Sequence, residues 1–521
     1  MILLRNQGFA WQENSRCGGA FFRKRFCFQL SHNDVNKLGV DYFLVEKNIG
    51  DRLLFYEKNI GDGSFLHIFA ADFQQFNMTE IVFKRKAYDQ MLLWKEKSQG
   101  KSALLIEGAR RIGKSTIAEQ FAKNEYRSYL LLDFNKVPQK VKDLFEDLED
   151  LDFIFLFLQT NYRVKLYERQ SVIIFDEVQK CPLARQAIKY LVADGRYDYI
   201  ETGSLISIRK NVQDITIPSE EYSLPMYPMD YEEFRWALGD TVTVPLLRTF
   251  LEKKMSLKAA HQLKQRELRL YMLVGGMPQA VSAYLETNNL SEVDLVKRSI
   301  IKLYADDFVK IDPTGKTTKL FMSIPSQLSK NIARFQPTTV VGNINSERLG
   351  EMIFALEDSK AVNVAYHADD PNVGMSLTKD LSRYKMFVSD TGLFVTLAFW
   401  DKSYTENIIY DKLLSDKLSA NLGYVYENLV AQMLKAAGNE LFFYTFPKDE
   451  KHNYEVDFLL TRGSKICPIE VKSSGYNAHV SLDAFCEKYS SRVSSRYLIY
   501  TKDLKKDGET LCVPAYMTGL L

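Results

Sequence analysis

The chain has 521 residues, of which 46% are hydrophobic and 26% are charged, a globular composition that argues against wholesale disorder. Its 68 lysines and arginines almost balance its 66 aspartates and glutamates. The resulting net charge of +2 gives no general electrostatic reason to bind nucleic acid or a membrane.

Length, cysteine spacing and hydropathy suggest how the chain is organised and where it is located. A chain of this length should divide into roughly two to four domains. Its six cysteines are scattered without a CxxC pair, which favours free thiols in a reducing compartment. No uncharged apolar run approaches the roughly 18 residues of a membrane-spanning helix, and no secretory signal pattern is present. We therefore expect a soluble, cytoplasmic protein without a membrane partner.

The first 77 residues differ from the rest. They show few periodic apolar patterns and contain the sequence EKNIGD twice, at 46–51 and 57–62. From Met78 the pattern sharpens, and TEIVFKRKAYDQMLLWKEK predicts an amphipathic helix capped by Thr79. We interpret residues 1–77 as an N-terminal extension and expect the functional chain to begin near Met78.

From Ala103 onward, short apolar runs alternate with helical stretches, which predicts an α/β fold with a parallel sheet wrapped by helices. The predicted strands are Ala103–Glu107, Tyr129–Phe134, Val172–Glu177, Tyr197–Gly203 and Glu221–Pro228. From Met229 to about Tyr404 the pattern favours helices, including small helical or winged-helix units. A final α/β block begins near Asn421.

The sequence GARRIGKS at 108–115 fits the phosphate-loop pattern GxxxxGK[ST] and lies between a predicted strand and a predicted helix. Backbone N–H groups of such a loop surround phosphates, and the following helix N-terminus favours their negative charge. Lys114 is expected to reach the β and γ phosphates of ATP, and Ser115 to bind Mg²⁺. The predicted nucleotide-binding residues are Gly108, Ala109, Arg110, Arg111, Ile112, Gly113, Lys114, Ser115 and Thr116.

Two carboxylates end the predicted buried strand VIIFDE, at the edge where parallel sheets place their ligands. Asp176 is the expected Mg²⁺ ligand, and Glu177 is the expected base that orients or deprotonates the attacking water. Thr202 and Ser204, in TGS at the end of the next strand, are candidate γ-phosphate sensors, although a tight turn explains them nearly as well. Arg209 is a candidate phosphate contact, although arginines at helix starts are commonly just solvated.

These segments together resemble the prokaryotic AAA-type ATPases that join an AAA domain to a C-terminal domain of unknown function, number 4143. Segments that carry the resemblance are GARRIGKS, VIIFDEVQK, YIETGS, YPMDYEEF, LVGGMPQAV, IIKLYADDFVKI, YKMFVSDTGLF, GYVYENLVA, EVDFLL and IEVKSS. The resemblance implies a P-loop NTPase core, a helical and winged-helix-like middle and a terminal domain like the PD-(D/E)xK nucleases. The corresponding domains are predicted at 78–235, 236–405 and 406–521, after the extension at 1–77.

One departure from this family concerns arginine. Many relatives carry a Gly-Arg pair before the segment that matches YPMDYEEF, whereas ITIPSEEYSLP here has none. A phosphate-sensing or finger role for that arginine therefore cannot be transferred to this chain.

The terminal block contains a candidate nuclease-like site. If VDFLL and ICPIEVK form a hairpin turning at 462–464, positions that sum to about 927 face each other, and Asp457 lies opposite Glu470. Lys472 shares their face because strand side chains alternate. This set could hold Mg²⁺, with Glu427 as an additional ligand. A cross-strand salt bridge on a solvated sheet is an equal alternative.

The leading functional hypothesis is an AAA-type ATPase that binds and hydrolyses MgATP and couples its nucleotide state to the C-terminal module. One alternative is an ATP-gated, metal-dependent DNA nuclease. Another is an ATP-binding switch without appreciable turnover. DNA or a protein is the candidate partner of the C-terminal region, and self-association is compatible with the resemblance.

Overall fold

The computed structural model describes residues 43–47, 52–57, 68–72, 82–203, 218–330, 334–401, 405, 407–415, 423–473 and 479–521. The chain divides into two compact units, Met1–Ile81 and Val82–Leu521. The first unit contains an antiparallel sheet of β1 (Phe43–Lys47), β2 (Arg52–Glu57) and β3 (Ile68–Asp72), in the order β1-β2-β3. The interpretation of residues 1–77 as an extension stays a prediction.

The second unit begins with a parallel sheet of five strands in the order β5-β6-β7-β4-β8. The strands are β4 (Ala103–Glu107), β5 (Ser128–Asp133), β6 (Ser171–Asp176), β7 (Asp198–Gly203) and β8 (Glu221–Pro225). The helices in this part are α1 (Lys86–Ser98), α2 (Lys114–Glu125), α3 (Gln139–Lys142), α4 (Leu151–Tyr162) and α5 (Pro182–Asp194). All five predicted strands are confirmed, with ends that differ by three residues at most.

The predicted start of the first helix is wrong. Thr79 lies outside the described residues. Residues 82–85 are not helical, and Arg85 has an extended backbone with φ −128° and ψ 140°. Val82 and Phe83 extend the apolar pattern of the helix in the sequence, but neither is helical and Val82 is exposed, so these apolar residues did not mark a helical turn.

Alternating side chains of the parallel sheet serve two hydrophobic cores. Leu104 and Ile106 of β4 belong to a large core that continues through the helical middle into the C-terminal sheet. Ala103 and Leu105 belong to a smaller core on the opposite face. This division follows from the two-residue repeat of a strand whose two faces are both covered.

A helical segment follows the parallel sheet. Its helices are α6 (Tyr231–Ala237), α7 (Thr243–Glu252), α8 (Ala260–Val274), α9 (Pro278–Thr287), α10 (Leu290–Ile311), α11 (Lys316–Met322), α12 (Ile324–Leu328), α13 (Thr338–Val341), α14 (Ser346–Asp358), α15 (Thr391–Ala398) and α16 (Asn407–Leu414). The helical expectation fails at β9 (Val362–Ala368) and β10 (Lys379–Val388). Every residue of β9 is buried, including the polar Asn363 and His367, so its polar positions do not mark a solvent-exposed face.

These two strands form one edge of a mixed sheet of eight strands, in the order β10-β9-β11-β12-β13-β14-β16-β15. Its other strands are β11 (Phe442–Pro447), β12 (Asn453–Arg462), β13 (Lys465–Val471), β14 (Tyr497–Tyr500), β15 (Lys505–Asp507) and β16 (Thr510–Pro514). Helices α17 (Gly423–Ala436) and α18 (Val480–Lys488) complete this part. Strands that precede residue 406 thus share a sheet with strands that follow it. No helix in the described part of the chain is long and apolar enough to cross a membrane.

The segment GGMP, residues 275–278, connects the chain that follows the parallel sheet to the start of α15. Gly276 donates its N–H to Asp390 Oδ2 at 2.5 Å, and its carbonyl oxygen accepts the N–H of Met229 at 2.7 Å. A Cβ on Gly276 would lie 2.0 Å from the carbonyl oxygen of Met229, and one on Gly392 would lie 2.6 Å from the Cα of Gly275. These backbones touch because none of the three glycines has a side chain.

We expect Gly276→Ala to lower the free energy of unfolding by about 1–3 kcal/mol or more, since the methyl group would meet backbone atoms that cannot rotate away. Gly350→Ala is the matched control. Gly350 lies in α14 with open space around it, so the alanine should stabilise the helix by about 0.5–1 kcal/mol. Urea denaturation of both variants measures the difference. Equal stability of the two would show that the backbones at Gly276 can separate freely.

Candidate functional site

The loop at 108–113 connects β4 to α2 through two unusual glycine positions. Gly113 precedes α2 with φ 93°, a left-handed conformation that favours glycine. A Cβ on Gly108 would lie 2.3 Å from the carbonyl oxygen of Met226. The glycines of the sequence pattern are therefore required by the backbone, one for its torsion angle and one for close approach.

Lys114 is buried at the start of α2. Its ammonium group donates to the carbonyl oxygens of Gly108 at 3.0 Å and Ala109 at 2.8 Å. Burial lowers the pKa of Lys114 to about 8, although Glu177 and Asp176 act in the opposite direction. Carbonyl oxygens are weak partners for an ammonium group, so this lysine is poised to bind an anion.

Asp176 gathers two hydroxyl groups at the end of β6. Ser115 Oγ donates to Asp176 Oδ1 at 2.6 Å, and Thr202 Oγ1 donates to the same oxygen. Thr202 reaches Asp176 because its strand, β7, lies between β6 and β4 in the sheet. A carboxylate beside a serine hydroxyl is a donor set that suits Mg²⁺, so the predicted metal ligands Ser115 and Asp176 fit that ion.

Glu177 follows Asp176 with φ 56°, in the left-handed region that non-glycine residues rarely adopt. Its carboxylate accepts a hydrogen bond from the Gln179 amide. Such backbone strain persists where surrounding structure holds it, and it is often found at functional sites.

Arg85, which precedes α1, joins the loop to the segment YPMDYEEF. Its guanidinium donates to the carbonyl oxygens of Ile112 at 2.8 Å and Tyr227 at 2.6 Å. The same group lies 3.2 Å from Glu233 in a buried ion pair. This role of Arg85 was not predicted, and a charged residue just before the first helix was the one signal that could have suggested it.

Helices beyond the parallel sheet also contact the loop. Arg110 donates to both carboxylate oxygens of Asp307 at 3.0 Å, and Tyr304 donates its hydroxyl to the Arg110 carbonyl at 2.9 Å. Asp307 and Tyr304 lie on α10, within the segment IIKLYADDFVKI. The loop is therefore held by a helix from outside its own domain.

The structure brings together Lys114, Ser115, Asp176 and Thr202 of the predicted site. The electrostatic effect of Glu177 on Lys114 places this residue nearby. The candidate sensors Ser204 and Arg209 lie outside the described residues.

The C-terminal hairpin has the predicted register. Phe458 pairs with Ile469 and Arg462 pairs with Lys465, so paired positions sum to 927. Asp457 follows in this register opposite Glu470, and Asp457 Oδ2 accepts the N–H of Val471 at 2.7 Å.

A lysine that was not predicted, Lys385, lies among the predicted carboxylates. The Lys385 ammonium is 2.7 Å from Glu427 and 4.0 Å from Asp457, and it forms a further ion pair with Glu455. Burial alone would lower the pKa of Lys385, but the three acids outweigh it and raise that pKa. Burial, followed by the charge of Glu427, raises the pKa of Asp457 to about 8.

Glu470 and Lys472 adjoin this cluster. Lys472 lies 2.7 Å from Glu470 Oε1, whereas the buried Glu470 Oε2 has no hydrogen-bond partner. Among the residues that the structure describes, no group of three or more His, Cys, Asp or Glu side chains could hold a metal ion. The predicted residues thus lie together, but their arrangement does not fit a metal.

Three family models match separate parts of the chain. Residues 100–235 match an AAA domain, residues 265–404 match the domain of unknown function DUF8612, and residues 422–516 match the domain of unknown function DUF4143. The predicted resemblance to AAA-type ATPases with a terminal DUF4143 domain is confirmed. Residues 100–235 form an AAA-type P-loop domain. No protein with a curated description matches the chain.

The chain has low similarity to several solved structures. The Holliday junction branch migration motor RuvB of Thermotoga maritima is 12% identical over 54% of this chain and 89% of its own, with a TM-score of 0.24. Cdc6p of Pyrobaculum aerophilum is 11% identical over 67% and 99%, with a TM-score of 0.22. A signal transduction ATPase with numerous domains from Pyrococcus horikoshii is 11% identical over 69% and 46%, with a TM-score of 0.25.

The lowered pKa of Lys114 predicts how nucleotide affinity depends on pH. Phosphate contact favours the charged ammonium, so the pKa should rise on binding above its value of about 8 in the free protein. Affinity for MgATP should therefore be steady near neutrality and weaken above that pKa, by up to about tenfold per pH unit.

Calorimetric titration between neutral pH and roughly pH 9.5 measures this slope. Lys114→Arg is the control, because its guanidinium stays charged throughout and its affinity, although lower, should not change with pH. A wild-type slope equal to that of the arginine variant would contradict the assignment.

Proposed function

We propose that the chain is an ATPase that hydrolyses ATP at the phosphate loop and transmits its nucleotide state to the C-terminal domain. The observation that carries the proposal is the convergence of Lys114, Ser115, Asp176 and Thr202 at one edge of the parallel sheet. Each of these groups has the chemistry that one part of MgATP requires.

In the proposed site, the loop N–H groups and Lys114 bind the phosphates. Ser115 and Asp176 hold Mg²⁺, which neutralises charge on the phosphate oxygens when it is bound. Glu177 orients the attacking water or accepts its proton. The proximity of Glu177 to Lys114, indicated by its electrostatic effect on that lysine, supports this role.

Transmission is supported by a path of buried hydrogen bonds. Tyr271 donates its hydroxyl to the Met229 carbonyl at 2.8 Å and accepts the Gln432 amide N–H at 2.8 Å. Gln432 lies on α17, whose first turns also carry Glu427. The Oε1 atom of Gln432 accepts both the N–H and the hydroxyl of Thr391, at 2.8 and 2.6 Å.

This path starts beside the phosphate loop. Met229 follows the segment whose residue Met226 touches Gly108, and Met226 donates its N–H to the Glu107 carbonyl at 2.7 Å. A shift of the loop on nucleotide binding would therefore act on the segment 226–229 and, through Tyr271, on α17. Buried hydrogen bonds suit this role because a broken one leaves a polar group without a partner, which costs about 1–3 kcal/mol.

We expect Glu177→Gln to reduce ATP turnover by about 10²–10⁴-fold while MgATP affinity stays within a few fold, because the amide keeps the shape but cannot accept a proton. Lys114→Ala should lose nucleotide binding. Phosphate release and calorimetric affinity measure the two effects, and Glu149→Gln, at an exposed position, is the control. Absence of turnover in the wild-type protein would favour the nucleotide-switch alternative.

The path predicts that Tyr271→Phe uncouples the two domains. Loss of the hydroxyl leaves the Met229 carbonyl and the Gln432 amide without this partner, so the ATP-dependent change in hydrogen exchange at α17 should shrink while ATP still binds. Tyr129→Phe is the control, since its hydroxyl bonds to Glu119 within the AAA domain. An unchanged response of α17 in Tyr271→Phe would exclude this route.

A further inference from the structure

We infer that Lys385 is a built-in counter-ion of the C-terminal carboxylates and takes the place that a divalent cation would have in a nuclease-like site. The inference is independent of the proposed ATPase activity. The resemblance to nucleases implies a metal ion at this hairpin, whereas the arrangement of the described side chains does not fit one.

The contacts of Lys385 show how the site is filled. Its ammonium carries three donors, and the carboxylates of Glu427, Glu455 and Asp457 surround it. The ammonium also lies 5.6 Å from the ring centre of Phe443, on β11. Lys385 is only 5% exposed, so its charge is compensated by these groups rather than by water.

The three acids around Lys385 come from two elements. Glu455 and Asp457 lie two residues apart on β12, which places them on one face. Glu427 lies on α17, and the adjacent Asn428 fixes this helix to β10 by accepting the Val388 N–H at 2.8 Å. Lys385 is on the same strand β10, so the contact that positions Glu427 also positions the lysine.

Glu470 is a second, independent indication that the cluster has fewer positive charges than its carboxylates could bind. It is 5% exposed, and its Oε2 is buried without a hydrogen-bond partner. A buried carboxylate oxygen without a partner is costly. Lys472 neutralises only its other oxygen, at 2.7 Å. When a lysine replaces the cation of a set of carboxylate ligands, a carboxylate oxygen is left without a partner. Glu470 Oε2, beside the acidic cluster, is such an oxygen.

Removal of the lysine tests the inference. Lys385→Met keeps the length and apolar stem of the side chain but removes its charge, and we expect it to bind Mn²⁺ roughly tenfold or more tightly than the wild-type protein. Full-length protein without nucleotide is titrated with Mn²⁺ and followed by electron paramagnetic resonance and by thermal unfolding. Lys385→Arg, which keeps the positive charge, should bind no better than wild type.

The double variant Lys385→Met with Asp457→Asn assigns the bound ion, since it should lose the gain if the site is this cluster. A folded Lys385→Met protein that binds no more Mn²⁺ than wild type would overturn the inference. Tight binding by the wild type that Asp457→Asn abolishes would also overturn it, because the lysine would then not occupy the site. If Lys385→Met fails to fold, refolding with Mn²⁺ decides: recovery supports the inference, and no recovery refutes it.

Discussion

The buried carboxylate of Asp390 is the constraint on which the arrangement of the second unit depends. One oxygen accepts the N–H of Gly276 at 2.5 Å, and the other caps α15 through the N–H of Leu393 at 2.8 Å. Burial raises the pKa of this acid, while its backbone hydrogen bonds act against that rise. A single side chain thus joins the turn behind the phosphate loop to the helix that packs on α17, and only glycines allow the backbones to come this close.

Much of the nucleotide site could be predicted because its chemistry is local. The loop glycines, Lys114 and Ser115 lie within eight consecutive residues, and a strand and a helix next to them have strong sequence patterns. The same locality explains the C-terminal hairpin, whose turn and alternation fix its register. Glu455 could have been found by that alternation, since it shares a face with Asp457.

Contacts between distant segments could not be predicted in this way. Arg85 bonds to the carbonyl of Tyr227, 142 residues away, and Arg110 bonds to Asp307 across 197 residues. Neither pair leaves a periodic trace in the sequence, because each depends on how whole elements pack. Strands β9 and β10 were missed for a related reason: buried polar residues such as His367 and Lys385 interrupt their apolar pattern, and β9 pairs with β10 and with the distant β11 only in the packed sheet.

Lys114 and Lys385 are both buried, but their different surroundings give them different roles in the two candidate sites. Lys114 bonds to backbone carbonyls, and burial lowers its pKa, so an incoming phosphate would supply the negative charge that it lacks. Lys385 already has three carboxylates around it, and their combined charge raises its pKa. The first lysine therefore gains from an anionic ligand, whereas the second has no charge left to offer one. For the carboxylates around Lys385 to act on a phosphodiester through a metal, β10 would first have to withdraw its lysine. Asn428 ties β10 to α17, the helix that the hydrogen-bond path from the phosphate loop reaches through Gln432, so this movement would depend on that helix.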